Sequence, residues 1–145
     1  MQISGEWSLC DDGIVRPLIR AEILARDGSW LSAEFLVDTG ADRTVFSRTT
    51  LDILRFQTLA SQELIRGLGG MAASVDVETQ IRFSREEAGG KVLFRGRFAA
   101  VTALEALDIS VLGRDITGLF AVIVDRPGDV VCLLAQRHQY TIEQR

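Results

Sequence analysis

A run of apolar residues that leads directly into a carboxylate is the feature that most constrains the fold of this chain. Residues 35–46 read FLVDTGADRTVF, so an apolar segment ends on Asp38, and a second acid, Asp42, follows closely. Burying a carboxylate costs several kcal/mol unless pairing, hydrogen bonding or protonation offsets that cost. A strand that ends on an acid therefore needs a specific partner for the acid, and the rest of the chain has to indicate which one.

Length and composition favour a soluble globular protein with a single core. The 145 residues are enough for one domain, so we expect residues 1–145 to form a single domain. Apolar residues make up 47% and charged residues 25% of the chain, which is typical of folded globular proteins. The net charge is −4 and acids and bases are interspersed, so the chain lacks the basic stripe of a nucleic-acid-binding protein.

The sequence offers no sign of a membrane segment or an export signal. No apolar run reaches the roughly 18 residues that a spanning helix needs, so we expect no membrane span. The first ten residues, MQISGEWSLC, contain neither the basic start nor the apolar stretch of a secretory signal. We therefore expect a cytoplasmic protein.

Cysteine and histidine are too few to build common catalytic or metal sites. Cys10 and Cys132 lie far apart with no CxxC spacing, which favours two reduced thiols over a disulfide. The single histidine, His138, cannot form a zinc site by itself and leaves one candidate base for a serine or cysteine nucleophile. An exposed residue near the end of the chain is the favoured interpretation, and we expect no metal and no cofactor.

The remaining sequence consists of short strand-like runs separated by turns. Two pairs of strand-like runs each predict a β-hairpin. The first pair flanks the turn at residues 27–29 and reads VRPLIRAEILA and WLSAEFLV. The second flanks residues 126–128 and reads LFAVIVD and DVVCLLA. KVLFRGRFAAV predicts another strand, and SVDVETQIRF alternates cleanly. One face of that strand would carry Val75, Val77, Thr79, Ile81 and Phe83.

Helix signals are few. RTTLDILRFQ predicts one short helix with a cap at Ser47 or Thr49, and GRDITGLF predicts another turn or two that stops at Gly118. The expected fold is therefore mainly β, with one or two short helices.

The stretch FLVDTGADRTVF resembles the signature of the retropepsin family, the retroviral-type aspartic peptidases. That signature is an apolar run, DTG, Ala, Asp, one variable residue, Thr and an apolar residue, and residues 35–45 fill every position. SVLGRDI at residues 110–116 is similar to the family's second signature, and LIRGLGGM at residues 64–71 is similar to its glycine-rich flap tip. Residues 16–19, RPLI, resemble its arginine-proline segment. The resemblance covers most of residues 14–120 and implies a retropepsin-like acid-protease barrel.

The resemblance implies an aspartic endopeptidase that acts on peptides or proteins as a homodimer. The chain contains one DTG, whereas hydrolysis by aspartates needs two carboxylates that share a proton. Asp38 of each subunit would meet on a twofold axis and activate a water between them. Thr39 would hydrogen-bond across the dimer, and Gly40 would offer its backbone near the aspartates.

The resemblance also implies supporting and binding roles. Asp42 would pair with Arg114, joined by Arg16 of the partner subunit; independent surface charges are the alternative. A flap at about residues 62–83 would close over the substrate with a tip at residues 67–70; an ordinary glycine-rich turn is the alternative. The substrate-binding residues would be Ala41, Val45, Ile65, Gly67, Leu68, Gly69, Ile109 and Val111. Leu36 is a further apolar residue near the site. Each apolar residue could equally be plain core, and for Leu36 core is the favoured role.

Two departures from the family modify these expectations. About 25 residues follow Leu119, whereas retroviral enzymes end soon after the short helix and interleave their terminal strands. The dimer contact of this chain is therefore open. Residue 41 is Ala where two-lobed pepsin-like enzymes carry Ser or Thr, so we expect a pH optimum nearer mild acid than strong acid.

Two other functions compete with the endopeptidase. One is a catalytically silent module of the same fold that grips extended peptides by β-augmentation. The other is a metal-dependent hydrolase that uses Asp38, Asp42 and a further acid, which the near absence of histidine disfavours.

Overall fold

The computed structural model describes residues 1–56, 63–67, 70–87 and 89–135. Its first half contains the strands β1 (Gln2–Ser4), β2 (Glu6–Leu9), β3 (Val15–Leu24), β4 (Trp30–Val37) and β5 (Val45–Phe46) and the helix α1 (Arg48–Leu54). The second half contains β6 (Glu63–Gly67), β7 (Gly70–Ser84), β8 (Lys91–Val101), β9 (Ser110–Leu112), the helix α2 (Arg114–Thr117), β10 (Ala121–Asp125) and β11 (Val130–Leu134).

The strands form two sheets. The larger has eight strands in the order β2-β3-β4-β9-β5-β8-β7-β6, and the smaller has three in the order β1-β11-β10. The large sheet curls so far that β3 also pairs with β7, through Glu22 with Arg82 and Ile23 with Ile81. The predicted mainly β fold with short helices is confirmed, whereas the predicted barrel is not closed, because β2 and β6 remain at the two ends of the large sheet.

Both hairpins that the turn signals predict are present. β3 pairs antiparallel with β4, and β10 with β11. At the first turn Gly28 adopts a φ of 87°, which favours glycine, and the Asp27 carboxylate accepts a hydrogen bond from the backbone N–H of Ser29 at 2.9 Å. Local turn chemistry therefore sets the register of the strand that carries the acid.

The two short helices also lie where the sequence predicts them. α1 is capped by Ser47, whose Oγ accepts a hydrogen bond from the backbone N–H of Thr50 at 3.2 Å. α2 begins at Arg114 and its C-cap is Gly118. α2 is only four residues long, and its role is to carry Arg114 and Asp115 toward the loop that follows β4.

A cluster of aromatic rings holds the large sheet together. Phe35 of β4, Phe46 of β5 and Phe83 of β7 are fully buried, and the Phe35 ring centroid lies 6.1 Å and 6.5 Å from the other two. The predicted inward face of β7 is buried, and the hydroxyl of Thr79 donates to the backbone carbonyl of Leu24 at 2.6 Å. This core fixes the strand that ends at Asp38.

β6 and the first part of β7 form a hairpin at the position of the predicted flap. The backbone pairing runs from Glu63 with Ser74 to Gly67 with Gly70. From Ser74 onward β7 pairs with β8 instead, so the hairpin extends beyond the body of the sheet. The tip residues Leu68 and Gly69 lie outside the described residues.

The remaining sequence predictions concern thiols, metals and membranes. Cys10 is half-buried and Cys132 buried, both are free, and burial raises the pKa of the Cys132 thiol. His138 lies outside the described residues. Within the described ranges, no group of three His, Cys, Asp or Glu side chains could hold a metal ion. No helix in that part of the chain is long and apolar enough to cross a membrane.

Candidate active site

Asp38 lies at the point where β4 ends beside β9. Val37 pairs in parallel with Leu112, and the backbone N–H of Asp38 donates to the Leu112 carbonyl at 3.2 Å. The chain then turns tightly, because the Gly40 N–H donates to Asp38 Oδ1 at 2.9 Å and the Ala41 N–H donates to the Asp38 carbonyl at 3.2 Å. The carboxylate is thus fixed at a strand end, half-buried, in a turn whose residues Thr39 and Gly40 are exposed.

Arg114 braces this turn from the start of α2. Its guanidinium donates to the Thr39 carbonyl at 2.8 Å and to the Asp42 carboxylate, and its backbone N–H donates to the Ala41 carbonyl at 2.8 Å. The side chains of Arg114 and Asp42 are 50% and 83% exposed, so solvent weakens the ion pair itself. Arg114 therefore acts mainly by fixing the geometry of the turn, since its three hydrogen bonds reach Thr39, Ala41 and Asp42.

A buried threonine connects the two signature segments in a way that the sequence reasoning missed. Thr44 is fully buried, and its N–H and Oγ1–H donate to the Asp115 carboxylate at 2.9 Å and 2.7 Å. Thr44 Oγ1 in turn accepts from the Gly113 N–H at 3.1 Å. The Asp115 carboxylate also accepts a hydrogen bond from the Ile116 N–H at 3.0 Å, at the start of α2. In the sequence, the signal for this contact was a threonine in the first signature segment and an aspartate in the second.

Gly113 allows the two segments to touch backbone to backbone. A Cβ added at this residue would lie 2.3 Å from both the carbonyl carbon and oxygen of Arg43, and 2.8 Å from the Thr44 nitrogen. A contact under 3.0 Å with backbone atoms cannot be relieved by a side-chain rotation. The loop that follows Asp38 therefore depends on the absence of a side chain at residue 113.

Arg16 is engaged within its own chain. Its guanidinium donates two hydrogen bonds to the Asp12 carboxylate, at 2.8 Å and 2.6 Å, and this pairing lowers the pKa of Asp12 to about 2. Asp12 lies in the connection between β2 and β3, and Arg16 is the second residue of β3. The predicted contact of Arg16 was with the Asp42–Arg114 pair of a second subunit, and it stays a prediction.

The predicted substrate-binding residues fall into three groups. Val45 and Val111 are buried and pair with each other between β5 and β9, as core residues would. Ala41, Ile109 and Leu36 are half-buried. Ile65 and Gly67 lie on β6 in the hairpin, whereas Leu68 and Gly69 lie outside the described residues. An apolar residue beside the site has the same sequence pattern whether it lines a pocket or fills the core, so these binding roles stay predictions.

The chain matches the family model of the retroviral aspartyl protease over residues 14–122. It therefore belongs to the retroviral aspartyl protease family, as the sequence signatures predict.

Solved structures of family members share the fold. The retropepsin-like aspartic protease from Rickettsia conorii is 22% identical, with a TM-score of 0.56, and the match covers 92% of this chain and 90% of that one. The EIAV protease in complex with the inhibitor HBY-793 is 24% identical, with a TM-score of 0.50, covering 71% and 86% respectively. No curated protein sequence matches the chain.

Proposed function

We propose that this chain is an aspartic endopeptidase that is active as a homodimer and hydrolyses peptide bonds in peptides or proteins. The observation that carries the proposal is the placement of Asp38, held at a strand end by hydrogen bonds with Leu112 and Gly40 and open to the surface. The sequence contains one DTG, and one carboxylate cannot serve as acid and base at the same moment. A second copy of the chain supplies the missing group.

In the proposed mechanism the two Asp38 carboxylates share one proton. The ionised carboxylate takes a proton from a water molecule held between the pair, and this water attacks the peptide carbonyl carbon. The protonated carboxyl donates its hydrogen to the carbonyl oxygen as the C=O double bond opens. The proton taken from the water then passes to the amide nitrogen, the C–N bond breaks and the amine leaves, while one hydroxyl of the adduct returns its proton to the other carboxylate. Thr39, exposed in the single chain, would bind across the dimer and hold the two turns together.

The free thiols Cys10 and Cys132 suit a reducing compartment, so we place the activity in the cytoplasm.

We assign the dimer contact to the outer edge of β10. The other edge of the small sheet is already engaged, because the Gln2 carbonyl on β1 accepts from the Glu86 N–H at 3.0 Å. On β10, Ile123 and Val124 are 38% and 43% exposed. An exposed apolar edge strand readily pairs with another strand, so a second β10 would continue the sheet across a twofold axis.

This assignment makes Ile123 sensitive to charge. In an Ile123→Lys variant, two cations would face each other across the axis. We therefore expect the dissociation constant of the dimer to rise at least about tenfold. Sedimentation velocity over a range of concentrations measures the effect. Leu93→Lys is the matched control, since Leu93 is 48% exposed on β8 in the other sheet. Unchanged dimerisation of Ile123→Lys would remove β10 from the interface.

The function itself is tested by incubating the purified protein with a mixed peptide library from mild acid to neutral pH. We expect cleavage between apolar residues, read out by mass spectrometry of the products, and no effect of a chelator. Loss of cleavage on adding a chelator would instead favour a metal-dependent hydrolase. Binding of extended peptides without cleavage by a confirmed dimer would favour the silent module.

A further inference from the structure

The base of the β6–β7 hairpin is linked to the turn after Asp38 by an ion pair between Arg43 and Asp76. The Arg43 guanidinium donates to Asp76 Oδ1 at 2.9 Å, and the side chains are 37% and 25% exposed. Asp76 lies on β7 just beyond Ser74, the last residue of β7 that pairs with β6. The ion pair therefore joins the strand to the loop where the hairpin leaves the sheet.

Arg43 is a well-fixed anchor for this contact. Its backbone packs against Gly113, with no room for a side chain between them, and the next residue, Thr44, is fully buried and bound to Asp115. The loop that carries Asp38 and Arg43 is thus held rigidly to the β9–α2 segment. A side chain extended from such a loop transmits its position to the strand that it binds.

We propose that Arg43 and Asp76 are positioning residues that hold the β6–β7 hairpin in register with Asp38. The inference rests on the proposed function, because it assumes that the hairpin closes over a substrate bound at Asp38. Closure of a hairpin over an extended peptide excludes water and aligns the scissile bond. With the ion pair in place, the hairpin moves about a base that is fixed relative to the catalytic turn.

The first test measures backbone amide hydrogen exchange in the free protein and requires no activity. In Asp76→Asn and in Arg43→Gln, we expect exchange at residues 63–67 and 70–74 to rise about two- to fivefold, as loss of a half-exposed ion pair predicts. Glu22→Gln is the matched control, because it removes a carboxylate that binds Arg82 at the other end of β7 at 3.1 Å. The same exchange rate in both ion-pair variants and wild type would overturn the proposal.

The second test uses charge reversal. Arg43→Asp and Asp76→Arg each place like charges together, and we expect the double variant to recover the low exchange and most of kcat/KM on a long peptide. A merely stabilising surface pair would change the free energy of unfolding without changing exchange selectively in the hairpin. If instead Asp76→Asn raised cleavage of acidic peptides and the double variant did not recover, Arg43 would be a substrate contact, and the positioning role would be wrong.

These readouts separate the inference from the proposed function. Selective change of exchange in the hairpin, with wild type inactive toward every peptide, would support the link and count against the peptidase. Cleavage by wild type, with no effect of either substitution on exchange or on kcat/KM, would support the peptidase and overturn the positioning role of the ion pair.

Discussion

We expect Asp38→Asn to lower kcat/KM for peptide cleavage by about a hundred- to ten-thousandfold, which is the range for loss of a general acid or base. The amide of Asn cannot accept a proton from water or donate one to the carbonyl oxygen as a carboxyl pair does. The side chain keeps its size, and its oxygen can still accept from the Gly40 N–H. Folding and dimerisation are therefore expected to persist, so the loss reports on chemistry alone.

Steady-state kinetics on one peptide from the library measures this loss. Asp52→Asn serves as the control, since Asp52 lies on the surface of α1 and binds Arg48 there. We expect that control to retain wild-type activity. Comparable cleavage by Asp38→Asn and wild type would point to a contaminant or to another mechanism and would remove Asp38 from the site.

Gly113→Ala is the second variant with a large expected effect. The added methyl group would meet the Arg43 backbone at 2.3 Å, so β9 and the loop after Asp38 must separate. That movement also disturbs the hydrogen bonds of Thr44 with Asp115 and Gly113, which are buried and cannot be replaced by water. We expect the free energy of unfolding to fall by about 3 kcal/mol and cleavage to be lost with it.

Urea denaturation monitored by tryptophan fluorescence measures the stability change. Gly96→Ala on β8 is the matched control, because a Cβ there would find its nearest neighbour, the Phe98 ring, at an ordinary 3.7 Å. A Gly113→Ala protein with wild-type stability would show that the two segments are not in close backbone contact.

Local patterns in the sequence were sufficient for much of the fold. The turn at Gly28 and the alternation from Val75 to Phe83 depend on neighbouring residues, so both could be predicted without knowledge of the rest of the chain. The cap of α1 was predicted at Ser47 or Thr49, and the structure has it at Ser47. The signature around Asp38, together with the segments at residues 16–19, 64–71 and 110–116, likewise predicted the family. Each of these features lies in a short segment and can be recognised without knowing what that segment contacts.

Contacts between distant segments could not be predicted in this way. Thr44 and Asp115 are 71 residues apart, and Arg43 and Asp76 are 33 apart. Periodicity tells which face of a strand is buried, but it does not tell which side chain from another strand lies opposite. The pairing of β1 with β11, which leaves β10 at the edge, was beyond prediction for the same reason.

Subunit mixing tests most directly whether two chains each contribute one Asp38 to a shared site. Wild type is mixed with increasing amounts of Asp38→Asn at constant total protein, under conditions in which subunits exchange. If both carboxylates are required, activity follows the square of the wild-type fraction, so an equal mixture keeps about one quarter of the activity of undiluted wild type. Activity that falls only in proportion to the wild-type fraction would show that one Asp38 suffices and that the site is not shared.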